Sequence, residues 1–159
     1  MKPKRLAWDS CAWIATIIQE KSPLADGGVE DRAKLCNHVI ELAAAKKVEI
    51  ATSGLSLTEV CRGVANDDHD AMVDFFRNEY IVVVPVDHYV GTIGRKLMLS
   101  GYAGLKPPDA IHLASALACS ATEFHTFDAK LLKLDGKIPR LDTGYLHICK
   151  PTSPPPTLF

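Results

Sequence analysis

Arg5-Leu6-Ala7-Trp8-Asp9-Ser10-Cys11 runs from apolar side chains straight into an acid and a hydroxyl. The run ending in Trp8 predicts a strand over residues 5–8. Behind it Trp13, Ile14, Ile17 and Ile18 recur at helical spacing and predict a helix over 11–20. Asp9 and Ser10 stand at the join, where either side chain suits a helix N-cap. A strand that feeds a helix through an acidic turn is the unit from which the rest of the chain can be read.

The unit recurs toward the C-terminus. Strands are expected at 48–52, 81–86 and 124–127, with helices at 57–65, 70–78, 89–99, 108–118 and 129–134. Residues 81–86 form the strongest strand, a continuous apolar run suited to burial on both faces. A short fifth strand is expected at 140–142. Between the first helix and an amphipathic helix over 31–47, residues 21–28 carry Pro23 and Asp26-Gly27-Gly28 and read as a loop. Strands alternating with helices predict an α/β fold with a parallel sheet.

Composition bounds the rest. At 159 residues the chain has the length of one domain, expected over 1–149, with a tail over 150–159. Four prolines in the tail exclude it from a central strand or helix, and a polyproline-type tail is the default, with docking of Leu158-Phe159 as the alternative. No apolar stretch approaches the roughly 20 residues that cross a bilayer. Asp9 and Ser10 interrupt the apolar residues behind the basic start, as a secretory signal would not. A cytoplasmic protein without membrane contact is expected. The five cysteines lack paired spacing, which argues against a disulfide framework or a zinc site. A net charge of −1 provides no global footprint for a polyanion, so any nucleic acid must be held by a local basic patch or by metal ions.

Four acids share one kind of place. Asp9, Glu59 and Asp128 each follow a predicted strand, and Asp109 opens the helix leading into the fourth. Singly, each reads as a cap: Ser56-Leu57-Thr58-Glu59 matches a capping box, and Asp109 stands in a first turn behind Pro107-Pro108. Together they lie along the carboxyl edge of a parallel sheet, where ligands bind. Carboxylates gathered there repel one another, by about 4 kcal/mol per pair at about 4 Å and an effective dielectric of 20. Such a cluster suits a hard divalent cation, Mg²⁺ or Mn²⁺.

The runs Leu6-Ala7-Trp8-Asp9-Ser10, Ser56-Leu57-Thr58-Glu59-Val60, Pro108-Asp109-Ala110-Ile111-His112-Leu113-Ala114 and Thr126-Phe127-Asp128-Ala129-Lys130-Leu131 resemble, in order, the motifs of PIN-domain nucleases, most nearly the VapC-type toxins of toxin–antitoxin pairs. The resemblance implies a three-layer fold whose five-stranded parallel sheet has the order 3-2-1-4-5, bringing Asp9, Glu59 and Asp128 together and leaving Asp87 outside as an N-cap. It implies a Mg²⁺- or Mn²⁺-dependent endoribonuclease with Asp9, Glu59, Asp109 and Asp128 as catalytic acids, an antitoxin partner and a homodimer. Asp9, Asp109 and Asp128 are then the metal ligands. Glu59 positions the attacking water or completes a second metal site, and Ser10 and Thr126 hold waters around the ion. Arg95, Lys96 and Lys106 flank one turn and are candidates for RNA phosphates, or simply a solvated basic face. His112 lies one helical turn after Asp109; it reads as a helix-packing residue, with a place facing the pocket as the alternative.

Three other functions compete. A catalytically silent PIN-like module binding RNA or protein differs from a nuclease only in turnover. An aspartate-nucleophile phosphatase calls for D-x-D at the first strand, where this chain has Asp9-Ser10-Cys11. A dinucleotide enzyme calls for G-x-G-x-x-G after that strand, and none is present.

Overall fold

The computed structural model describes residues 1–63 and 68–152. Its main sheet is parallel throughout and contains β1 (Lys4–Trp8), β4 (Val48–Ser53), β5 (Ile81–Val84), β6 (Glu123–His125) and β7 (His147–Cys149) in the order β5-β4-β1-β6-β7. Counting only these five strands along the chain, the order is 3-2-1-4-5, as the resemblance implies. β1 therefore has β4 on one side and β6 on the other, and the connections reverse direction about it. A crevice opens at such a switch point beyond the strands' carboxyl ends.

Alternation along the strands assigns the two faces. Leu6 and Trp8 of β1, Ile50 of β4 and Ile81 of β5 pack with α1 (Ser10–Ile17) and α2 (Arg32–Ala44) through Trp13, Cys36, Val39 and Ala43. α4 (His69–Phe75) closes this layer; Phe75 and the Phe76 that follows it set their rings edge-on to Trp13. On the other face Ala7, Ala51, Phe124 and Ile148 meet α5 (His88–Leu99) and α6 (Pro107–Ala118). The sheet presents small side chains at Ala7 and Ala51 and the helix answers with Ala110 and Ala114, so α6 lies close over the middle of the sheet. α3 (Ser56–Glu59) continues into a 3-10 turn, Val60–Gly63, and α7 (Ala129–Leu132) follows β6.

Several expectations are corrected. Residues 21–28 are not wholly loop: β2 (Lys21–Pro23) pairs antiparallel with β3 (Val29–Asp31) in a hairpin between α1 and α2. The fifth strand of the sheet is His147–Cys149; residues 140–142 form no strand, and an isolated bridge joins Pro139 to Tyr145. The apolar run at 81–86 is an edge strand, with Val82 and Val83 only partly buried and Val86 exposed. The helix expected over 57–65 ends as an α-helix at Glu59, and residues 64–65 lie outside the described residues. At the start of the tail Lys150 pairs with Glu30 and Pro151 is buried; Leu158 and Phe159 lie outside the described residues. Among the described residues no helix is long and apolar enough to cross a membrane.

The close seat of α6 makes the alanines beneath it sensitive to added volume. Ala51→Leu is expected to destabilise the fold by about 1–3 kcal/mol. The check is a lower urea midpoint with an unchanged slope; an unchanged midpoint would show that the sheet face has room to spare.

Candidate active site

Asp9 leaves the end of β1 and caps α1. Its Oδ1 accepts from the Ala12 amide at 3.2 Å, and its Oδ2 accepts from the Thr126 hydroxyl at 2.5 Å. The residue is only 3% exposed. Desolvation raises its carboxyl from 3.8 to about 6, against the hydrogen bond from Thr126, which favours the charged form. Thr126 in turn accepts from the Asp128 amide at 3.0 Å, so one hydroxyl joins the end of β1 to the turn after β6.

Glu59 reaches the same edge from α3. It does not turn back to cap its own helix, as the capping-box reading would have it. Instead Oε2 accepts from the Ser10 hydroxyl, and its two oxygens lie 3.2 and 3.3 Å from Nε2 of His112. A carboxylate only accepts, so Nε2 carries a proton that it donates. His112 is buried, as expected of a packing residue, yet its ring also clamps Glu59, an interaction that the sequence reading missed. Its Nδ1 is buried and has no hydrogen-bond partner among the described residues. The available signal was its spacing of three from Asp109, which puts both on neighbouring positions of one helix.

Asp109 and Asp128 complete the set. Asp109 Oδ2 accepts from the Lys106 amide at 3.3 Å, and Asp128 caps α7 by accepting from the Lys130 amide at 2.8 Å. The Asp109 carboxyl is raised by partial burial and, against the Lys106 bond, by the charges of Asp128 and Glu59. Asp9 likewise feels Asp128, and burial with the charges of Asp9, Asp128 and Glu59 pushes the Cys11 thiol up to about 12. Four acids from four segments thus share one electrostatic environment. Asp87 caps α5 through the Val90 amide at 3.0 Å, as its placing outside the cluster implied.

The basic candidates are less gathered. Lys106 is tied to the acids through its backbone bond to Asp109. Arg95 and Lys96 lie exposed on α5, and among the described residues neither makes an ion pair or a hydrogen bond with the four acids.

The carboxylates are neighbours without being packed into one coordination sphere. Among the described residues, Glu123, His125 and Cys149 are the one set of three possible ligands whose donor atoms all lie within 4.8 Å of one another. Its hydrogen bonds do not suit a cation. The Trp8 indole N–H donates to His125 Nδ1 at 3.1 Å, so the proton of a neutral ring is on Nε2, which donates to Glu123 Oε2 at 2.9 Å. Lys4 pairs with the other oxygen of Glu123, and burial raises the Cys149 thiol to about 11. With the imidazole's lone pair taken and the thiol protonated, the set is a chain of hydrogen bonds that ties β1 to β6. The four acids offer the opposite: hard oxygens, partly desolvated and mutually repelling, which fit a divalent cation.

Comparison with known proteins agrees with this architecture. The family model of the PIN domain matches residues 9–137. Among solved structures, VapC20 of Mycobacterium tuberculosis, a sarcin-ricin loop cleaving toxin, has 16% sequence identity and a TM-score of 0.57, over 78% of this chain and 90% of its own. VapBC2 from Rickettsia felis, bound to a DNA fragment from its promoter, has 19% identity and a TM-score of 0.56, over 91% of this chain and 98% of its own. At such identities the likeness is one of fold. No curated protein matches the sequence.

The Trp8–His125–Glu123–Lys4 chain has a consequence in acid. The hydrogen bond from His125, and then Lys4, hold Glu123 at about 2 against an ordinary 4.5. A carboxyl lowered in the folded state contributes stability above its unfolded pKa and loses it as pH falls through the folded one. Glu123→Gln is therefore expected to flatten the loss of stability between pH 4.5 and about 2, measured by urea unfolding across that range. An acid limb identical to that of the parent protein would contradict the assignment.

Proposed function

The chain belongs to the PIN-domain family, whose model spans most of its length, and from that premise we propose that it is a Mg²⁺- or Mn²⁺-dependent endoribonuclease acting at Asp9, Glu59, Asp109 and Asp128. The observation that carries this reading is the buried Asp9 at the switch point of the sheet. Burial alone disfavours its charge, and Asp128 disfavours it further, although Thr126 holds the charged form. A divalent cation is the natural counter-charge for such an arrangement.

In this reading Asp9, Asp109 and Asp128 hold the ion. No three of the acids bring their oxygens within 4.8 Å of one another, which suits a cation that keeps several of its waters, as Mg²⁺ does. When bound, the ion supplies charge to the phosphate oxygens and lowers the pKa of the attacking water. The chain's own groups do the rest. Thr126 orients Asp9 and fixes the turn that presents Asp128. Ser10 and His112 orient Glu59, leaving it to position the water or accept its proton. Lys106, beside Asp109, with Arg95 and Lys96 on α5, would take phosphates along the RNA. Residues 1–149 would constitute the nuclease domain, with 150–159 as an appendage.

The likeness to VapC20 and VapBC2 supports a finer reading of the same chain as a toxin of that type, acting on RNA and restrained by a cognate antitoxin; a homodimer is part of the same proposal and rests on the motif resemblance alone. An antitoxin segment lying over the acids would satisfy them with an Arg or Lys in place of the ion.

Purified protein is expected to cleave RNA with Mg²⁺ or Mn²⁺ and not with EDTA. Asp9→Asn should abolish cleavage while retaining the fold, since it keeps the shape of a side chain whose charge burial already disfavours. Ser10→Ala and Thr126→Val, which touch the acids without being ligands, should lose about 10–100-fold. Full activity in Asp9→Asn would refute the site. Replacing Arg95, Lys96 and Lys106 with Ala should weaken RNA binding and reduce the slope of log K against log salt by about 0.7 for each phosphate no longer neutralised. A salt slope equal to that of the parent would leave these residues a solvated face.

A further inference from the structure

A cavity lies beside the acidic site at Asp128. It has a volume of about 220 Å³ and is lined by Cys11, Ile14, Glu20, Arg32, Phe127 and Asp128. Two of its lining residues, Glu20 and Arg32, flank the β2–β3 hairpin. Glu20 precedes β2 and Arg32 follows β3, and the pairing of Lys21 with Asp31 brings the two roots side by side. The Ala33 amide donates to the Glu20 carbonyl at 3.2 Å and closes the base of the hairpin.

Arg32 is held from three directions. Nε donates to Glu30 at 3.0 Å, Nη1 reaches Glu20 at 3.4 Å, and the guanidinium lies 4.7 Å from the centre of the Phe127 ring. Glu30 is itself paired with Lys150 at 2.6 Å. Among the described residues, Nη2 of Arg32 and Oε1 of Glu20 have no protein partner. The cavity thus pairs a donor-only group with an acceptor-only group beside the apolar Ile14 and Phe127. Both polar groups are fixed by bonds that leave atoms to spare.

The chemistry selects the ligand. A phosphate is disfavoured because the carboxylates of Glu20 and Asp128 line the same space. A planar heterocycle with apolar faces and an edge carrying both donors and acceptors satisfies every group present, and nucleobases of single-stranded RNA are read in this manner. The volume lies below the ~300–1,000 Å³ of pockets for drug-sized ligands and has room for one base. Since Asp128 is both one of the four acids and a lining residue, the cavity adjoins the place where the phosphate of a bound strand would lie.

We infer that the cavity receives the base of a nucleotide flanking the scissile phosphate, and that Glu20 and Arg32 determine which base is accepted. The inference rests on the nuclease reading and adds to it a sequence preference set by the two residues at the base of the hairpin. Short single-stranded RNAs carrying each base in turn on either side of one cleavage position provide the test. They are used with the full chain, Glu20→Gln and Arg32→Lys. Cleavage rates are compared in Mg²⁺, and equilibrium binding by fluorescence anisotropy in EDTA. The parent protein should favour one base at one flanking position by about tenfold or more, as a good pair of base contacts provides. Both variants should lose or change that preference while other positions are unaffected. Glu20→Gln keeps the shape of the side chain, so it reports even if Arg32→Lys loosens the hairpin. An unchanged preference in the variants, or an equal loss on all four bases, would overturn the inference. Cleavage of all the RNAs at equal rates would overturn it and leave the nuclease intact. Base-selective binding removed by Glu20→Gln, without any cleavage, would keep the cavity and remove the nuclease. Neither cleavage nor base-selective binding would overturn both.

Discussion

A carboxylate taken out of water at the end of the central strand is the constraint on which the candidate site depends. Asp9 is buried between β1, α1 and the turn after β6, and its environment favours the neutral form. An acid so placed is tolerated only where donors meet it. Two do, the Ala12 amide and the Thr126 hydroxyl, and each belongs to a different connection. The hydroxyl that satisfies Asp9 also accepts the amide of Asp128, so the position of the second acid follows from the needs of the first. Sheet order supplies the rest: with β4 and β6 on either side of β1, the turns that carry Glu59 and Asp128 have no other edge on which to emerge.

Hydrogen-bond direction separates the two polar clusters more sharply than proximity does. At Glu123 every partner is accounted for: Trp8 donates to His125, His125 donates to Glu123, and Lys4 completes the carboxylate. Such a chain is closed, and its effect is to hold strands together. Around Glu59, Ser10 and His112 both donate to a carboxylate that is 27% exposed on its side chain, so it retains lone pairs toward the crevice. Among the described residues, the tightest geometric grouping of potential ligands is thus ill suited to an ion. The looser group of acids keeps its oxygens available.

What could be read from the sequence follows from how each feature is encoded. Asp9, Glu59 and Asp128 were legible because each follows a strand at the turn into a helix, and such joins leave a change of period in the sequence. Asp109 was legible as the opening of a helix behind two prolines, and the sheet order came only with the family resemblance. The hairpin was not legible. Lys21-Ser22-Pro23 and Val29-Glu30-Asp31 are too short for alternation, and one contains a proline that is tolerated only at an edge. The fifth strand, His147-Ile148-Cys149, is as short, and its sequence does not single it out from Arg140-Leu141-Asp142, where the strand was expected. Ile81–Val84 misled in the other direction: an apolar run marks burial, but the neighbours that bury it can be helices as well as strands. The grip of His112 on Glu59 joins residues 53 apart through the seating of α6 on the sheet, and the side chains alone encode no such distance.

Capping and chemistry looked like competing explanations for these acids, and the geometry removes the competition. Asp9 and Asp128 do bond backbone amides in the first turns of their helices, as isolated caps would, and Asp109 bonds back to the amide of the N-cap residue Lys106. A carboxylate has two oxygens and about four lone-pair sites, and a backbone amide occupies one of them. The cap fixes the rotamer at little cost to the remaining oxygen, which is aimed by the same bond that stabilises the helix. Glu59, the one acid that caps nothing, is instead aimed by Ser10 and His112. A helix start that follows a parallel strand therefore does two things with one acidic residue: it ends the exposed amides of the turn, and it holds a charge at a defined point of the crevice. Asp9 and Asp128 are two such points; Asp109 opens a helix behind a turn and Glu59 is aimed by side chains, so most of the candidate site's rigidity comes from secondary structure before any ligand contributes to it.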